Sequence, residues 1–323
     1  MKKANQQGKF NFNYVFFYIS LFIVVPLFAY SAPIPISTLA DLTKIGNDPG
    51  YPLNSDYMMT NNIDASETGS WLGGFSPIGS SSIGDRFTGT FDGNGYAIYN
   101  LFIDRPTKDY IGLFSFIEGG TVSRLKLFNI DVRGRTTVGG LVGNLYGGTL
   151  EGCIVIGHIY GSGYCGGLAG IISSSPSYPA NIRLCYTSGI LKYRDSPASK
   201  QNFGGLAGYI NSLGTPGKII LCFSQMDIIT DIDDMSYLGG FAGSVEGTIN
   251  ISTDYSTGKV PKGSLGIGGF IGEIDASVTV DKCVWDMDSS GQDISAGGKG
   301  KTTKEMKRIT TFSDMGWDIS DTP

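Results

Sequence analysis

The chain has 323 residues and a formal net charge of −5 at pH 7, with 24 basic residues against 29 acidic ones. An acidic balance disfavours nucleic acid and anionic lipid as partners, because both attract basic proteins. Only 16% of the residues are charged and 12% are aromatic, a composition that excludes intrinsic disorder. The chain is therefore expected to fold, as one large domain or two small ones.

The first 31 residues have the order of a secretory signal peptide. Three lysines precede an uncharged apolar run over residues 14–30, and the small residues Ala29 and Ser31 stand at its end. This order predicts a cleaved signal peptide over residues 1–31. An uncleaved membrane anchor is the alternative, because the run is close to the shortest length that spans a bilayer. No second long apolar run follows, so we predict a secreted, periplasmic or cell-surface protein without a further transmembrane segment.

The motif Gly-Gly-[Leu/Phe]-x-Gly occurs five times in the middle of the chain, and successive copies are 27, 38, 35 and 29 residues apart. Such a period is typical of a solenoid, in which each repeat buries its apolar surface against its neighbours. The expected structural glycines are the second and third of each copy: Gly140, Gly143, Gly167, Gly170, Gly205, Gly208, Gly240, Gly243, Gly269 and Gly272.

One repeat divides into short apolar segments separated by glycines. Val138 leads into a glycine pair, residues 149–156 are expected to form a second strand, and a third begins at His158 after a bend at Gly157. Glycine suits such bends because it accepts positive φ and permits close approach of neighbouring chains. Parallel crossovers are nearly always right-handed. The pattern therefore predicts an all-β, right-handed parallel β-helix with three short strands in each coil.

The cysteines follow the same repeat. One position, which falls 13 to 18 residues after the second glycine of each repeat, holds a cysteine in four repeats and Asp254 in the other. The fifth cysteine, Cys165, stands directly before a glycine pair, where the other repeats have an apolar residue. An odd count and irregular spacing disfavour a CxxC-type metal site. Stacked parallel side chains rarely reach disulfide geometry, so buried or half-buried thiols are expected, with disulfides left open. The residues concerned are Cys153, Cys185, Cys222, Asp254, Cys283 and Cys165.

The repeats and both flanks resemble the GLUG-motif family, named for Gly-Leu-any-Gly. The lead-in segments at 36–42 and 87–96 and the closing segments at 283–286 and 316–318 are similar to those of the family. The resemblance implies a β-helix of bacterial secreted or surface proteins, often adhesin-like, and similar repeats occur in IgA-specific metallopeptidases. We accordingly predict four segments: the signal peptide, a cap with the first coils at 32–110, the GLUG-repeat β-helix at 111–284 and a closing segment at 285–323.

Catalytic motifs are sparse. A zinc metallopeptidase needs His-Glu-x-x-His, whereas this chain has a single histidine, His158, which we expect to face solvent from a strand. The segment 286–291 resembles the opening of a calcium loop, but Gly297 stands where the closing acid belongs. We interpret that segment as a closing turn, and we predict no cofactor and no metal.

Three insertions, at 171–181, 192–202 and 230–237, are expected to form loops on one face, where solenoids often carry binding sites. Their tyrosines suit contact with a sugar or a protein, or pack down on the coils instead. Their acids form a solvated loop, a Ca²⁺ site or a catalytic pair. The candidate binding residues are Tyr178, Tyr193, Arg194, Asp231, Asp233, Asp234 and Tyr237.

The sequence thus predicts an exported, non-enzymatic β-helix that acts in adhesion or ligand binding. Its partner would be an extracellular protein or glycan. Two alternatives stay open. One is a polysaccharide-active lyase or hydrolase that uses Asp231, Asp233 and Asp234, and the other is a structural stalk that displays partner modules.

Overall fold

Short parallel strands make up most of the protein. The computed structural model describes residues 32–194 and 201–319, so the predicted signal peptide and residues 195–200 lie outside the described residues. The strands are β1 (Ile34–Ile36), β2 (Asp56–Met59), β3 (Ile63–Asp64), β4 (Thr90–Asp92), β5 (Ala97–Tyr99), β6 (Phe102–Asp104), β7 (Phe114–Glu118), β8 (Thr121–Ser123), β9 (Lys126–Arg133), β10 (Thr137–Gly139), β11 (Val142–Tyr146), β12 (Gly148–Glu151), β13 (Ile154–Gly161), β14 (Tyr164–Gly166), β15 (Ala169–Ser174), β16 (Ala180–Arg183), β17 (Tyr186–Tyr193), β18 (Asn202–Gly204), β19 (Ala207–Ile220), β20 (Phe223–Ile229), β21 (Ser236–Gly239), β22 (Ala242–Ser252), β23 (Tyr255–Ser256), β24 (Leu265–Gly268), β25 (Ile271–Ile274), β26 (Thr279–Asp281), β27 (Val284–Asp286) and β28 (Lys299–Lys301).

Four short α-helices and one 3-10 helix lie near the two ends of the stack of strands. They are α1 (Leu39–Lys44), α2 (Met287–Ser290), α3 (Thr303–Met306), α4 (Ile309–Ser313) and the 3-10 helix Ser66–Ser70. Helix α1 begins with a capping box, because the Thr38 hydroxyl accepts from the Asp41 amide while the Asp41 carboxylate accepts from the Thr38 amide. In the described part of the chain, no helix has the length and apolar character needed to cross a membrane.

The strands form three sheets, each made of equivalent strands from successive coils. Sheet A has 13 strands, sheet B has 10 and sheet C has five, in the order β10-β14-β18-β21-β24. Sheet A contains two rows of strands. One row is β7, β11, β15, the first halves of β19 and β22, and β25, and the other includes β8, β12, β16 and the second halves of β19 and β22. Because the chain joins equivalent strands by parallel pairing from coil to coil, the predicted parallel β-helix is confirmed.

Each complete coil has four strand segments rather than the predicted three strands, and in two coils the second and third segments run on as a single strand, β19 or β22. One coil runs through β10, β11, β12 and β13, so the predicted second strand at 149–156 is interrupted between β12 and β13. Gly157 is not a bend but lies inside β13, where the register against β9 shifts between Ile156 and Gly157. The predicted limits at residues 110 and 284 stay predictions, since strands on both sides of each limit belong to the same sheets.

Apolar side chains of successive coils stack in the interior. Leu145, Ile172, Ile210 and Val245 align in register on four neighbouring strands and are fully buried. Leu206, in the third copy of the glycine motif, is also fully buried. Burial of the apolar surface of each coil therefore depends on the coils on either side of it.

The repeated glycines are required by close contact between coils. A Cβ on Gly140 would lie 2.5 Å from the Val155 Cγ1 atom and 2.6 Å from the carbonyl oxygen of Gly167, its counterpart in the next coil. Gly167 meets Gly205 in the same way, at 2.4 Å. None of the ten repeat glycines has a positive φ. The positive φ expected at glycine bends occurs at Gly147 and Gly148, where β11 ends and β12 begins, and does not occur at Gly157. The expected close approach of neighbouring coils is confirmed.

Positive φ also occurs at the corner between β12 and β13 and at the equivalent corner of the other coils. The residues in the left-handed conformation are Arg124, Gly152, Leu184, Leu221, Thr253 and Lys282. The next residue of each corner points inward and is a cysteine in four coils. The expected burial of these thiols is confirmed, as is that of Cys165, and all five cysteines are free. In the coil with Asp254, the carboxylate accepts a hydrogen bond from the Cys222 amide at 2.5 Å.

Candidate functional site

The predicted binding residues do not form one site. Tyr193 lies in β17, is only 6% exposed and packs against Phe203 at 6.0 Å between ring centroids. Its predicted place on a surface loop is therefore wrong. Tyr237 lies in β21 and is half-buried beside Gly266. Tyr178 is 50% exposed, which leaves it as the one surface tyrosine of the three.

The insertions are shorter loops than predicted. Residues 171–174 belong to β15 and residues 180–181 to β16, so the first loop covers 175–179. In it the Ser175 hydroxyl accepts from the Tyr178 amide at 2.9 Å. The Tyr178 ring lies over Gly119, because a Cβ there would stand 3.0 Å from the ring. The second insertion is described only at its ends, since residues 195–200 lie outside the described residues.

The acidic loop between β20 and β21 presents its side chains to solvent. Asp231 pairs with Lys192 at 3.3 Å, while its own side chain is 77% exposed. Asp233 and Asp234 are exposed as well. No group of three or more His, Cys, Asp or Glu side chains in the described residues is placed to hold a metal ion. The loop therefore has neither a buried acid nor a metal-binding cluster that would support the alternative of a polysaccharide-active enzyme.

Two other suspected sites have structural explanations. His158 is exposed on β13, as expected. The carboxylate paired with it in register, Asp131, is bound by Arg133 at 2.7 and 2.6 Å. Asp286, the first residue of the calcium-like segment, is buried and accepts from the amides of Asp288 and Ser289 as the N-cap of α2. This role agrees with a closing turn.

The most complete candidate site lies on the outer surface of the first row of sheet A. Outward side chains form two stacked columns there, each with one residue from each of five neighbouring coils. The first column is Phe116, Asn144, Ile171, Tyr209 and Ser244, and the second is Glu118, Tyr146, Ser173, Asn211 and Glu246. Between and beside these columns lies a cleft of about 490 Å³ that we name the A cleft. Its volume falls in the range of small-molecule sites, roughly 300–1,000 Å³.

Aromatic rings line much of the A cleft. Phe116 and Tyr146 have ring centroids 6.3 Å apart, and Phe116 also contacts Tyr110 at 5.9 Å. Tyr209 lies 5.5 Å from Tyr164. Tyr146 and Tyr209 are half-buried. They therefore expose part of their flat apolar rings to a ligand while contacts with their neighbours hold them in place.

The charged groups of the A cleft are paired within the protein. The Arg86 guanidinium lies over the Phe116 ring at 4.3 Å and pairs with Glu118 at 3.2 Å. The Tyr209 hydroxyl donates to Glu246 at 2.7 Å. Partial burial, together with this bond to a carboxylate, raises the pKa of Tyr209 to about 12. The phenol is therefore neutral at physiological pH, and the cleft has no unpaired charge on its lining side chains.

Two amide groups in the A cleft have unpartnered acceptors. The Oδ1 atoms of Asn144 and Asn211 are buried, yet neither accepts a hydrogen bond from any described residue. A buried acceptor without a donor costs about 1–3 kcal/mol. These atoms are therefore positioned to accept hydrogen bonds from a ligand that enters the cleft.

The first insertion forms part of one wall of the cleft. Pro176, in the loop 175–179, lines the A cleft, and its carbonyl accepts from the Thr215 hydroxyl at 3.0 Å. A second cleft, of about 620 Å³, adjoins the A cleft, and the two share Arg86. It is formed by polar loops at 46–54 and 84–88.

The sequence prediction missed every residue of the A cleft except those inside the first insertion. A signal was present, since the fourth and sixth residues after each second glycine point outward: Asn144 and Tyr146, Ile171 and Ser173, Tyr209 and Asn211. The spacing thus identifies outward positions, but the residue type at each position changes from coil to coil, so the repeat does not show which outward residues line a cleft.

Comparison with known proteins identifies several relatives. No protein-family model matches the chain, so the resemblance to the GLUG-motif family rests on the quoted residues alone. Halomucin of Haloquadratum walsbyi is 34% identical over 278 residues, which cover 82% of this chain and 3% of halomucin. An immunoglobulin A1 protease of Streptococcus sanguinis is 29% identical over 238 residues, which cover 70% of this chain and 12% of the protease. The chain thus spans a small part of either relative.

A solved structure has the same fold. The Bacteroides ovatus protein, also named as an immunoglobulin A1 protease, superposes with a TM-score of 0.65 at 17% sequence identity. The match covers 86% of each chain. At this identity the likeness concerns the fold, and it supports the parallel β-helix.

Proposed function

We propose that this chain is a secreted or cell-surface β-helix that binds an extracellular ligand in the A cleft and does not convert it chemically. The observation that carries the proposal is the pair of unpartnered amide oxygens beside half-buried aromatic rings. Such a combination of apolar surface with a few directed polar groups is typical of ligand sites. Adhesion is the biological role that fits a binding surface on an exported protein.

The location is supported by two observations of different kinds. The first is the signal-peptide pattern over residues 1–31. The second is the similarity to part of an immunoglobulin A1 protease, a protein whose named target is an antibody. Since antibodies are extracellular, a related segment in this chain fits a secreted or surface protein.

Protease activity is a second candidate only through that relative's name. The matched segment is 12% of the protease. This chain has one histidine and no His-Glu-x-x-His motif, which metallopeptidases of that class require. The acids Asp231, Asp233 and Asp234 are exposed on a loop that does not line the A cleft, whereas the two acids of a glycoside hydrolase flank the bound substrate. Binding without catalysis is therefore the better supported function.

The proposal is tested with purified residues 32–323 on a panel of matrix proteins, immunoglobulin A1, glycans and polysaccharides. Retained protein and released fragments are measured in the same wells. We expect retention without release, and loss of retention when residues 176–178 are replaced by two glycines. Shortening the acidic loop at 231–234 is the matched control, since that loop does not line the A cleft. Release of fragments from any substrate, or retention that depends on the acidic loop alone, would contradict the proposal.

A further inference from the structure

The unpartnered acceptors of the A cleft select the chemistry of the ligand. Asn144 Oδ1 and Asn211 Oδ1 need hydrogen-bond donors. Hydroxyl groups supply donors, whereas ionised carboxylates and sulfates supply acceptors alone. A hydroxyl supplies the donor that each oxygen lacks and also accepts from the amide N–H groups, whereas an ionised acid serves only the N–H groups. A ligand rich in hydroxyls therefore suits both atoms of each amide.

The charges around the cleft also oppose an acidic ligand. Glu118 and Glu246 flank its second column of residues. The Arg86 guanidinium is already paired with Glu118, and the Tyr209 hydroxyl already donates to Glu246. A negatively charged ligand would thus approach two carboxylates without gaining a free cation.

The aromatic rings favour a ligand with flat apolar faces. Tyr146 and Tyr209 are half-buried, and the methyl groups of Ile171 lie in the column between Asn144 and Tyr209. Sugar rings combine C–H faces, which pack on aromatic surface, with hydroxyl edges, which reach amide oxygens. We propose that the A cleft binds a neutral oligosaccharide, an inference that rests on the binding function proposed above.

The spacing of the two amides favours several sugar units over one. Asn144 belongs to β11 and Asn211 to β19, and β15 lies between these strands. Two steps between paired strands amount to about 9–10 Å, and the residues are also displaced along the strand direction. A single pyranose ring is shorter than this separation. Contact with both amides therefore requires a chain of at least two sugars lying across the coils.

The test is calorimetric titration of residues 32–323 with defined hexasaccharides. The neutral probes are cellohexaose, maltohexaose, mannohexaose and chitohexaose, and hexagalacturonate is the acidic comparator. Tyr209→Ala and Asn211→Leu are the cleft variants. Tyr186→Ala is the matched control, because it removes an outward, half-buried tyrosine from sheet B. Thermal unfolding of each variant verifies that it is folded.

We expect at least one neutral hexasaccharide to bind, with affinity reduced roughly tenfold or more by each cleft variant and by less than about twofold by the control. The inference would be overturned if hexagalacturonate bound as tightly as the neutral chains. It would also be overturned if a neutral chain bound to both cleft variants with the same affinity as to the parent protein. If the protein panel shows cleft-dependent retention of a protein while no hexasaccharide binds, the inference fails and the binding function stands. If neither kind of ligand depends on the cleft, both fail.

Discussion

Outward aromatic side chains occur on two sheets of this β-helix, in the two stacked columns of sheet A and in a single column of sheet B, and they differ in whether other parts of the chain pack on them. On sheet A, Tyr146 and Tyr209 border an open cleft with unpartnered amide oxygens. On sheet B, the rings of Phe223 and Tyr255 stack at 4.4 Å, and Trp317 of the closing segment lies 6.3 Å from Phe223. The closing segment thus covers part of the sheet B column and leaves a cleft of about 470 Å³ beside Tyr255 and Trp317. No such segment packs on Tyr146 and Tyr209 of the A cleft among the described residues.

The polar groups beside these aromatic side chains also differ, because those on sheet B have hydrogen-bond partners within the protein. Trp317 Nε1 donates to the Lys282 carbonyl at 2.8 Å, and the Tyr186 hydroxyl donates to Gln225 at 2.5 Å. These bonds hold the closing segment and the sheet B column within the fold. On sheet A, by contrast, the Asn144 and Asn211 acceptors are left without such partners. Aromatic surface alone therefore does not mark a binding site here; the unpartnered polar atoms beside it do.

The largest predicted effect concerns the interior that supports both sheets. Leu206→Asp places a carboxylate among fully buried side chains, so we expect a loss of more than about 4 kcal/mol in the free energy of unfolding. Denaturant titration measures the loss. Lys218→Asp, at an exposed position of β19, is the control and should stay within about 0.5 kcal/mol of the parent. Equal stability of the two variants would mean that the inward register is wrong.

Uncovering the sheet B column should separate stability from binding. Trp317→Ala removes a half-buried ring and its hydrogen bond to Lys282, so we expect a loss of about 2 kcal/mol in unfolding free energy. Ligand affinity at the A cleft should not change, because Trp317 does not line it. Urea unfolding and ligand titration on the same variant check both parts. A fall in affinity without a fall in stability would reverse the roles assigned to the columns.

A smaller effect on stability is expected from the buried carboxyl of Asp254, which follows the corner residue Thr253. Burial raises the pKa of Asp254 well above its ordinary value of 3.8. The unfolded chain therefore releases this proton first, and stability falls as pH rises above about 3.8. Asp254→Asn should remove that loss and raise the Tm at pH 7 by about 2 °C or more, with the difference shrinking toward pH 4. Asp233→Asn, at an exposed position, should show no such pH-dependent gain.

The smallest predicted effect tests the phenol of Tyr209 in the A cleft. Tyr209→Phe removes the bond to Glu246 and should cost less than about 1 kcal/mol of stability. Because the folded pKa of about 12 exceeds the ordinary value of 10.0, the parent should lose stability as pH rises from about 10 toward 12. The variant should lack this contribution to the decline. Ligand affinity should change by less than about threefold, since the ring stays and the hydroxyl is engaged with Glu246.

Much of the fold could be predicted from the sequence because its determinants recur in every coil. Gly140 and Gly167 are each required by a carbonyl of the following coil, so the same residue appears at the same place in each repeat. The fourth strand of each coil could not be predicted in this way. The corner that creates it holds different residues in successive coils, such as Gly152, Leu184 and Thr253, all with positive φ.

The candidate site was harder to predict than the fold. Its side chains come from several coils, and the residue type at a given outward position changes from one coil to the next, because outward positions do not have to pack against an equivalent neighbour. The tyrosines of the insertions were the more visible signal. Tyr193 was a wrong candidate for a binding residue, because its ring turns inward onto Phe203 and belongs to the core.

The most direct test of a neutral oligosaccharide in the A cleft is a crystal structure of residues 32–323 with the tightest-binding neutral hexasaccharide. We predict sugar rings on Tyr146 and Tyr209, with hydroxyl groups donating to Asn144 Oδ1 and Asn211 Oδ1. Sugar density on the sheet B column beside Trp317, or in the A cleft without a hydroxyl near either amide oxygen, would contradict the account.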